Sequence, residues 1–370
     1  MRGPIDMSMQ PMHEYAAMRG ESAHLRVAVL GASGYAGGEL VRLLLAHPNV
    51  EIGHLAANES AGRALAEIHP HLATSPVGGR VLASLEAASA ADEASFAFLS
   101  LPHGASAAFA PALLDAGLRV VDLAGDFRLP AAAYPAWYGF EHPAPAWLEK
   151  AVYGLPEVFA DQIAVASLVA NPGCYPTPVV LGLAPLLAAG LIGPGPVVVD
   201  GKTGLSGAGR ALAEATSYAT TEESVRPYRF PMHQHTPEME RVLELASGIP
   251  VAISFVPHLV PSVRGVLVTC YAPLASGSTT ESLTGCLASA YESAPFVRVL
   301  PPGEMVDTKR TRGSNLVELQ AVADRRTGTA IVAGALDNLV KGAAGQAVQN
   351  MNLMAGFEQI TGLTATAVYP

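Results

Sequence analysis

Residues 25–46 read LRVAVLGASGYAGGELVRLLLA, and the order of residue types in that stretch decides how the chain begins to fold. Leu25–Leu30 is a compact apolar run of strand length. Gly31–Gly38 follows at once. Glu39–Ala46 then carries apolar residues at helical spacing and stops at His47-Pro48. Strand, glycine turn, helix is the opening of a doubly wound α/β domain. Outward from it, Glu51–Ala56, Phe96–Ser100 and Val120–Leu123 read as further short, buried parallel strands. The alternation of strands and helices persists to about residue 170, as a parallel sheet requires. After Asn171-Pro172 the pattern changes. Thr177–Ala189 is a strongly apolar helix, and Pro196–Asp200, Val251–Val256 and Arg264–Tyr271 look like longer, β-branched strands of another sheet. Ala330–Ala335 reads as a strand and Asp337–Ala355 as a helix.

The 370 residues are too many for one ordinary core, which agrees with two domains. Half of them are hydrophobic and 15% are charged, so a chain with generous buried surface is expected, and disorder is not. The formal net charge of −10 would repel a phosphate-rich polymer and disfavours a nucleic-acid partner. Cys174, Cys270 and Cys286 are the three cysteines, with no CxxC pair. That rules against a disulfide framework or zinc knuckle and fits a reducing, cytoplasmic setting. No apolar run is long enough to span a membrane. Residues 1–24 lack the apolar core of a signal peptide and read as a loose tail, with Met18 as an alternative start.

The small residues of Gly31-Ala32-Ser33-Gly34-Tyr35-Ala36-Gly37 let a backbone approach a pyrophosphate, and the following helix offers free N–H groups. Gly31, Ser33, Gly34, Tyr35 and Ala36 are therefore candidate dinucleotide ligands. The spacing is GxxGxxG, not the commoner GxGxxG, and a tight turn with no ligand is the competing reading. Cofactor choice is written at the end of the second strand, where a carboxylate would hold a ribose 2′-OH. Here Asn58, Ser60 and Arg63 stand ready for a 2′-phosphate, with Glu59 as the counter-indication. NADP(H) is the expected cofactor.

In Asn171-Pro172-Gly173-Cys174-Tyr175-Pro176-Thr177-Pro178 the prolines and glycine make a rigid turn just before an apolar helix. A helix N-terminus lowers a thiol pKa, so Cys174 is a candidate nucleophile, against the competing reading of an inert core cysteine. A nucleophilic cysteine needs a base. His233-Gln234-His235-Thr236-Pro237-Glu238 supplies two imidazoles that share a face if the stretch is extended. Thr236 is positioned to cap a helix whose first residue is Pro237, and Glu238 to orient His235 or merely complement the helix dipole. His-x-His also hints at a metal, but no further ligands are evident and no metal is expected. Ser206 and Gly207, in the run SGAGR, offer a backbone nest for phosphate. Arg128 and Arg264, beside turns, are candidate anion grips together with His233, or else structural ion pairs.

With these residues in hand the chain resembles the family of N-acetyl-gamma-glutamyl-phosphate reductases, the third-step enzymes of arginine biosynthesis. The likeness is carried by GASGYAGGELVRLLLAHP, GDFRL, YGLPE, NPGCYPT, SGAGR, HQHTPE and DNLVKGAAGQAVQNMN, in order, from about residue 25 to 355. Aspartate-semialdehyde dehydrogenases belong to the wider group. The resemblance implies a Rossmann-type domain from residues 25–172 and 337–370, with an inserted α+β catalytic and dimerisation domain over residues 173–336. It implies Cys174 as nucleophile, His235 as acid/base with Glu238 beside it, Asn338 near the nicotinamide, and a homodimer or homotetramer. The implied reaction is NADPH-dependent reduction of a small acyl phosphate to an aldehyde through a thioester on Cys174. Which histidine acts stays open at this point. So do three alternatives: a relative acting on a carrier-bound aminoadipyl phosphate, an aspartyl-phosphate reductase, and a non-catalytic NADP-sensing regulator.

Overall fold

The computed structural model describes residues 24–370. The tail expected over residues 1–24 therefore lies, His24 apart, outside the described residues. Six strands form the first sheet: β1 (Leu25–Leu30), β2 (Val50–Ala56), β3 (Phe96–Leu99), β4 (Arg119–Asp122), β5 (Val152–Tyr153) and β6 (Leu168–Ala170). Their order is β2-β1-β3-β4-β6-β5, and every pairing is parallel. β1 shows why its sequence is apolar throughout. Val27 and Val29 pack into one core, Ala28 and Leu30 into another, so both sheet faces are covered. The chain leaves β1 toward β2 on one side and later places β3 on the other. The crevice at the carboxyl ends of β1 and β3 is thus the switch point where open α/β sheets bind ligands.

Seven helices of ten residues or more occur among the described residues: α1 (Tyr35–Leu44), α2 (Ser106–Asp115), α3 (Pro156–Val165), α4 (Pro176–Ala188), α5 (His235–Ser247), α6 (Thr280–Ala290) and α7 (Gly345–Ala355). α1 starts four residues earlier than its apolar spacing indicates, because its first turn is made of the small residues that hug β1. A Cβ on Gly37 would stand 2.2 Å from the Gly31 carbonyl oxygen, so only glycine permits this approach.

The second sheet has seven strands: β7 (Val197–Thr203), β8 (Arg226–Pro227), β9 (Ile253–Leu259), β10 (Val266–Pro273), β11 (Val297–Val299), β12 (Val317–Asp324) and β13 (Thr329–Leu336). Its order is β11-β12-β13-β10-β7-β9-β8, with parallel and antiparallel pairs mixed. α4 lies on β12 and β13 and against α5 and α6. It is buried nearly all round, as its lack of a polar face demands. The chain then returns: α7 packs on α1, α3 and β4 of the first unit. The expected α/β plan is what the structure has.

β12 escapes a reading by periodicity because its run VELQAVAD buries Glu318 and Gln320. Arg298 and Arg310 neutralise Glu318 at 3.2 and 2.9 Å. The helix expected from Asp337 is also altered. Asp337 Oδ1 accepts from the Leu339 and Val340 amides, and Val340–Ala344 forms a π-helical turn before α7 begins.

Candidate active site

Gly31 ends β1 with φ +93°, where a Cβ would stand 2.1 Å from the Ser100 carbonyl oxygen at the end of β3. The loop thereby turns back across the switch point. Gly34 is the N-cap of α1, and no side chain caps that helix. The first N–H groups of α1 have no intrahelical partner. A Cβ on Gly34 would meet nothing nearer than the Gly31 oxygen at 3.6 Å, so the space before those donors is open to a phosphate. Ser33, Tyr35 and Ala36 flank it. Asn58 and Arg63 are exposed and Ser60 half-buried in the turn after β2, and Arg63 Nε touches Glu67 at 3.3 Å. The glycine turn and the open space before α1 fit a nicotinamide dinucleotide.

The opposite wall comes from the second unit. Asn338 Nδ2 donates to Ser206 Oγ at 2.9 Å and its Oδ1 accepts from the Gly265 amide at 2.8 Å. Gly207 sits beside this amide, its Cβ position 3.8 Å from Asn338 Nδ2. Ser206, Gly207 and Asn338 are thus gathered at one place, although 132 residues separate the bonded pair.

Cys174 lies half-buried in the turn between β6 and α4. The loop is fastened from three directions. Asn171 Nδ2 donates to the Ala343 carbonyl at 3.1 Å. Gly342, in the π-turn, comes so close that its Cβ would stand 2.8 Å from Cys174 Cβ. The Gly173 amide donates to Glu238 Oε1 at 2.8 Å. Glu238 is fully buried and also receives the Tyr153 hydroxyl at 2.8 Å and Arg128 Nη1 at 3.1 Å. Its Oε2 stands 4.0 Å from His235 Nε2, one helical turn back on α5. The His235 ring is laid on the backbone of Gly173, whose Cβ would fall 2.4 Å from Nε2, and against the Tyr175 ring at 6.0 Å. The imidazole therefore touches both neighbours of Cys174. Its Nδ1 has no hydrogen-bond partner among the described residues.

Electrostatics here run against one sequence expectation. Burial pushes the Cys174 thiol up to about 11; the Arg128 charge pulls the other way and Glu238 adds to the rise. The helix N-terminus does not win, because desolvating a thiolate costs more than the dipole and the arginine return. Burial, helped by the Arg128 charge, also holds His235 well below its ordinary value. The resting pair is neutral thiol and neutral imidazole.

Four expectations about individual residues need correction. Arg128 is not free for substrate: Nε donates to the Asn171 carbonyl, Nη2 to the Leu123 carbonyl and Nη1 to Glu238. Arg264 bridges Glu39 at 2.9 Å and Asp337 at 3.3 Å, an ion pair joining α1 to the end of β13. His233 is buried, its Nδ1 accepts the His235 amide at 3.1 Å, and burial presses it down to about 2, so it braces the start of α5. Thr236 does not cap that helix. α5 begins at His235, and Thr236 Oγ1 has no partner among the described residues.

Two residues absent from the sequence reading complete the site. His103 follows β3 at the switch point; burial and Arg128 hold it down at about 4, although part of the ring remains exposed. Arg229 has φ +46°, a strained value for a side-chain-bearing residue, and its charge acts on His103, His233 and His235. Its one side-chain hydrogen bond among the described residues is a long 3.4 Å contact to Gln234. The position of His103 after a strand at the switch point was a usable signal. Arg229, in an irregular loop, offered none.

With that geometry in place, kinship can be weighed. Residues 26–166 match the semialdehyde dehydrogenase NAD-binding domain family, and residues 174–338 the semialdehyde dehydrogenase dimerisation domain family. An N-acetyl-gamma-glutamyl-phosphate reductase of Magnetococcus marinus is 46% identical over 94% of this chain and 99% of its own length. The chain belongs to the N-acetyl-gamma-glutamyl-phosphate reductase family. A second member, from Geobacter metallireducens, is also 46% identical, over 94% of this chain and all of its own. Solved structures agree on the fold. Aspartate semialdehyde dehydrogenase II of Vibrio cholerae, in complex with ASA, superposes with a TM-score of 0.69 at 18% identity, covering 90% of this chain and 98% of that one. The Candida albicans enzyme with NADP gives 0.66 at 19% identity with the same coverage. Like its family, the chain is an oxidoreductase of the phosphorylating dehydrogenase type that uses a nicotinamide cofactor.

Proposed function

We propose that this chain reduces N-acetyl-gamma-glutamyl phosphate to N-acetylglutamate 5-semialdehyde and phosphate, with NADPH as reductant and Cys174 as the covalent carrier. The observation that carries this reading is the single carboxylate of Glu238, which holds the amide preceding Cys174 and also faces the His235 ring. Residues 25–172 with 337–370 serve as the dinucleotide-binding domain, and residues 173–336 as the catalytic domain.

As Cys174 Sγ bonds to the acyl carbon, its proton passes to His235 and phosphate leaves with the bonding electron pair. The charge that appears on the imidazole is favoured by Glu238, 4.0 Å away. When bound, NADPH supplies hydride to the thioester carbon. Collapse of the resulting alkoxide breaks the C–S bond and frees the aldehyde. His235 then returns its proton to the sulfur. Backbone amides of the Cys174 turn favour both the anionic sulfur and the oxyanion. His103 and Arg229, whose charge acts on that ring, receive the anionic ends of the substrate, since Arg128 and Arg264 are already engaged. Asn58, Ser60 and Arg63 select NADPH over NADH.

The second sheet leaves Val198, Tyr271 and Val322 exposed on β7, β10 and β12. A homodimer or homotetramer would cover them. The three cysteines are free thiols, in keeping with a cytoplasmic setting. The test is the reverse reaction: phosphate-dependent NADP reduction with N-acetylglutamate semialdehyde, run beside aspartate semialdehyde. A preference for aspartate semialdehyde, or equal rates with NAD and NADP, would overturn the corresponding part of the assignment.

A further inference from the structure

The SGAGR run ends in Arg210, a residue of the second unit that does not stay there. Beyond the short turn Leu205–Ala208 its side chain crosses to the first unit. Nη2 donates to the Ile68 carbonyl at 2.8 Å and Nη1 to the Ser33 carbonyl at 3.4 Å. Its guanidinium carbon lies 5.8 Å from the centre of the Tyr35 ring. Ser33 and Tyr35 are the residues on either side of Gly34, the uncapped N-cap of α1. A full positive charge from one unit therefore stands over the anion-binding turn of the other.

Several other cations are committed to carboxylates: Arg128 to Glu238, Arg264 to Glu39 and Asp337, Arg42 to Glu39, and Lys341 to Glu157, while Arg229 acts on the His103, His233 and His235 group. Arg210 has only carbonyl partners, and a guanidinium carries five donors, so three remain for a ligand. It is also exposed, so no burial requirement explains its reach. His69 completes the arrangement from below. Its Nε2 meets the Ala32 carbonyl at 2.9 Å; burial, against that hydrogen bond and with the nearby Arg210 charge, holds its pKa below the ordinary imidazole value. The fixed positive charge at the turn is that of Arg210, whose guanidinium reaches the Ser33 carbonyl.

We infer that Arg210 is a ligand for the diphosphate of the bound dinucleotide, contributed by the catalytic domain to the glycine loop of the other domain. Cofactor binding then fastens the two domains together over the switch point, because one guanidinium touches both the Ser33 backbone and the phosphates. The inference rests on the dinucleotide reading of the first domain.

The test is equilibrium binding of NADPH and of NADH, without substrate, to the full chain and to Arg210→Gln and Arg210→Lys, followed by nucleotide fluorescence and calorimetry. A charge-assisted contact to phosphate predicts at least about a tenfold rise in Kd for Arg210→Gln with both nucleotides, and a smaller rise for Arg210→Lys. The Lys variant keeps the charge but loses the planar fork. Urea midpoints should stay at the wild-type value, since Arg210 is exposed. Kd values within twofold of wild type for both nucleotides would overturn the inference. So would a loss confined to NADPH, which would move Arg210 to the ribose phosphate. A wild-type chain that bound neither nucleotide would instead bring down the dinucleotide reading, and this inference with it.

Discussion

Glu238→Gln is the most searching perturbation of the site. The amide can still accept from Tyr153 and Gly173 through its single oxygen, which replaces Oε1 at 2.8 Å from both donors. Its NH2 group, however, replaces Oε2 and points a donor at Arg128 Nη1, 3.1 Å away. Arg128 is buried and would lose its anion, a change that costs about 3–5 kcal/mol of stability. His235 loses the charge 4.0 Å from Nε2 that favours its protonated form. At an effective dielectric of about 20 that attraction is worth about 4 kcal/mol. If half of it is realised in the transition state, kcat falls by about 30-fold, and by up to about a thousandfold if all of it is. Cys174 moves the opposite way. Glu238 pushes the thiol pKa up, so its removal makes the thiolate easier to form. The assay is kcat for acyl-phosphate reduction beside the rate of Cys174 alkylation by iodoacetamide, with urea unfolding and NADPH Kd as controls. Slower turnover, faster alkylation and an unchanged Kd are expected. Turnover within threefold of wild type in a folded variant would refute the electrostatic role given to Glu238. Should Glu238→Gln fail to fold, Glu238→Asp keeps the charge, and only its retraction from Gly173 is tested.

Other consequences can be checked directly. Cys174→Ser should abolish reduction while leaving NADPH binding intact; near-normal turnover would rule out the covalent route. Because burial raises the Cys174 thiol to about 11, iodoacetamide labelling of the free enzyme should climb about tenfold per pH unit from 7 to 10 without levelling near 8.5. A plateau below pH 8 would mean that the helix N-terminus prevails after all. Arg264→Ala should weaken folding by about 2 kcal/mol, since Glu39 keeps Arg42 and Asp337 keeps three amides, while KM for the acyl phosphate changes little. The Glu39 carboxyl is held down at about 2 by Arg264 and Arg42 against the opposing effect of burial. Its folded value lies below the unfolded one, so its stabilisation is complete above about pH 4.5 and is lost as pH falls toward 2. A wild-type chain as stable at pH 2.5 as at pH 6 would contradict that assignment.

Several features of the site were legible because they are local. Leu25–Leu30 is a strand with the bounds its apolar run indicates, and the glycines after it are dictated by contacts a few residues away. The Cys174 turn is written in Pro and Gly at adjacent positions. Where the reading went astray, a distant partner was responsible. Arg128 looked free until Asn171, Leu123 and Glu238 were seen to take its donors, and Arg264 until Glu39 arrived from 225 residues away. Thr236 had the right type for a cap, but His233 accepts the His235 amide and the helix starts earlier.

From its sequence alone the chain could be read as an α/β protein with a nucleotide-binding turn, a constrained cysteine and a neighbouring pair of imidazoles, because each of these depends on residue type and short spacing. Tertiary structure alone decided the state of the thiol, the attachment of Glu238 to the Cys174 loop, and which arginines are paired within the protein. Those are matters of desolvation and of charges brought together from far along the chain. A folded environment sets both, and neither leaves a trace in local periodicity.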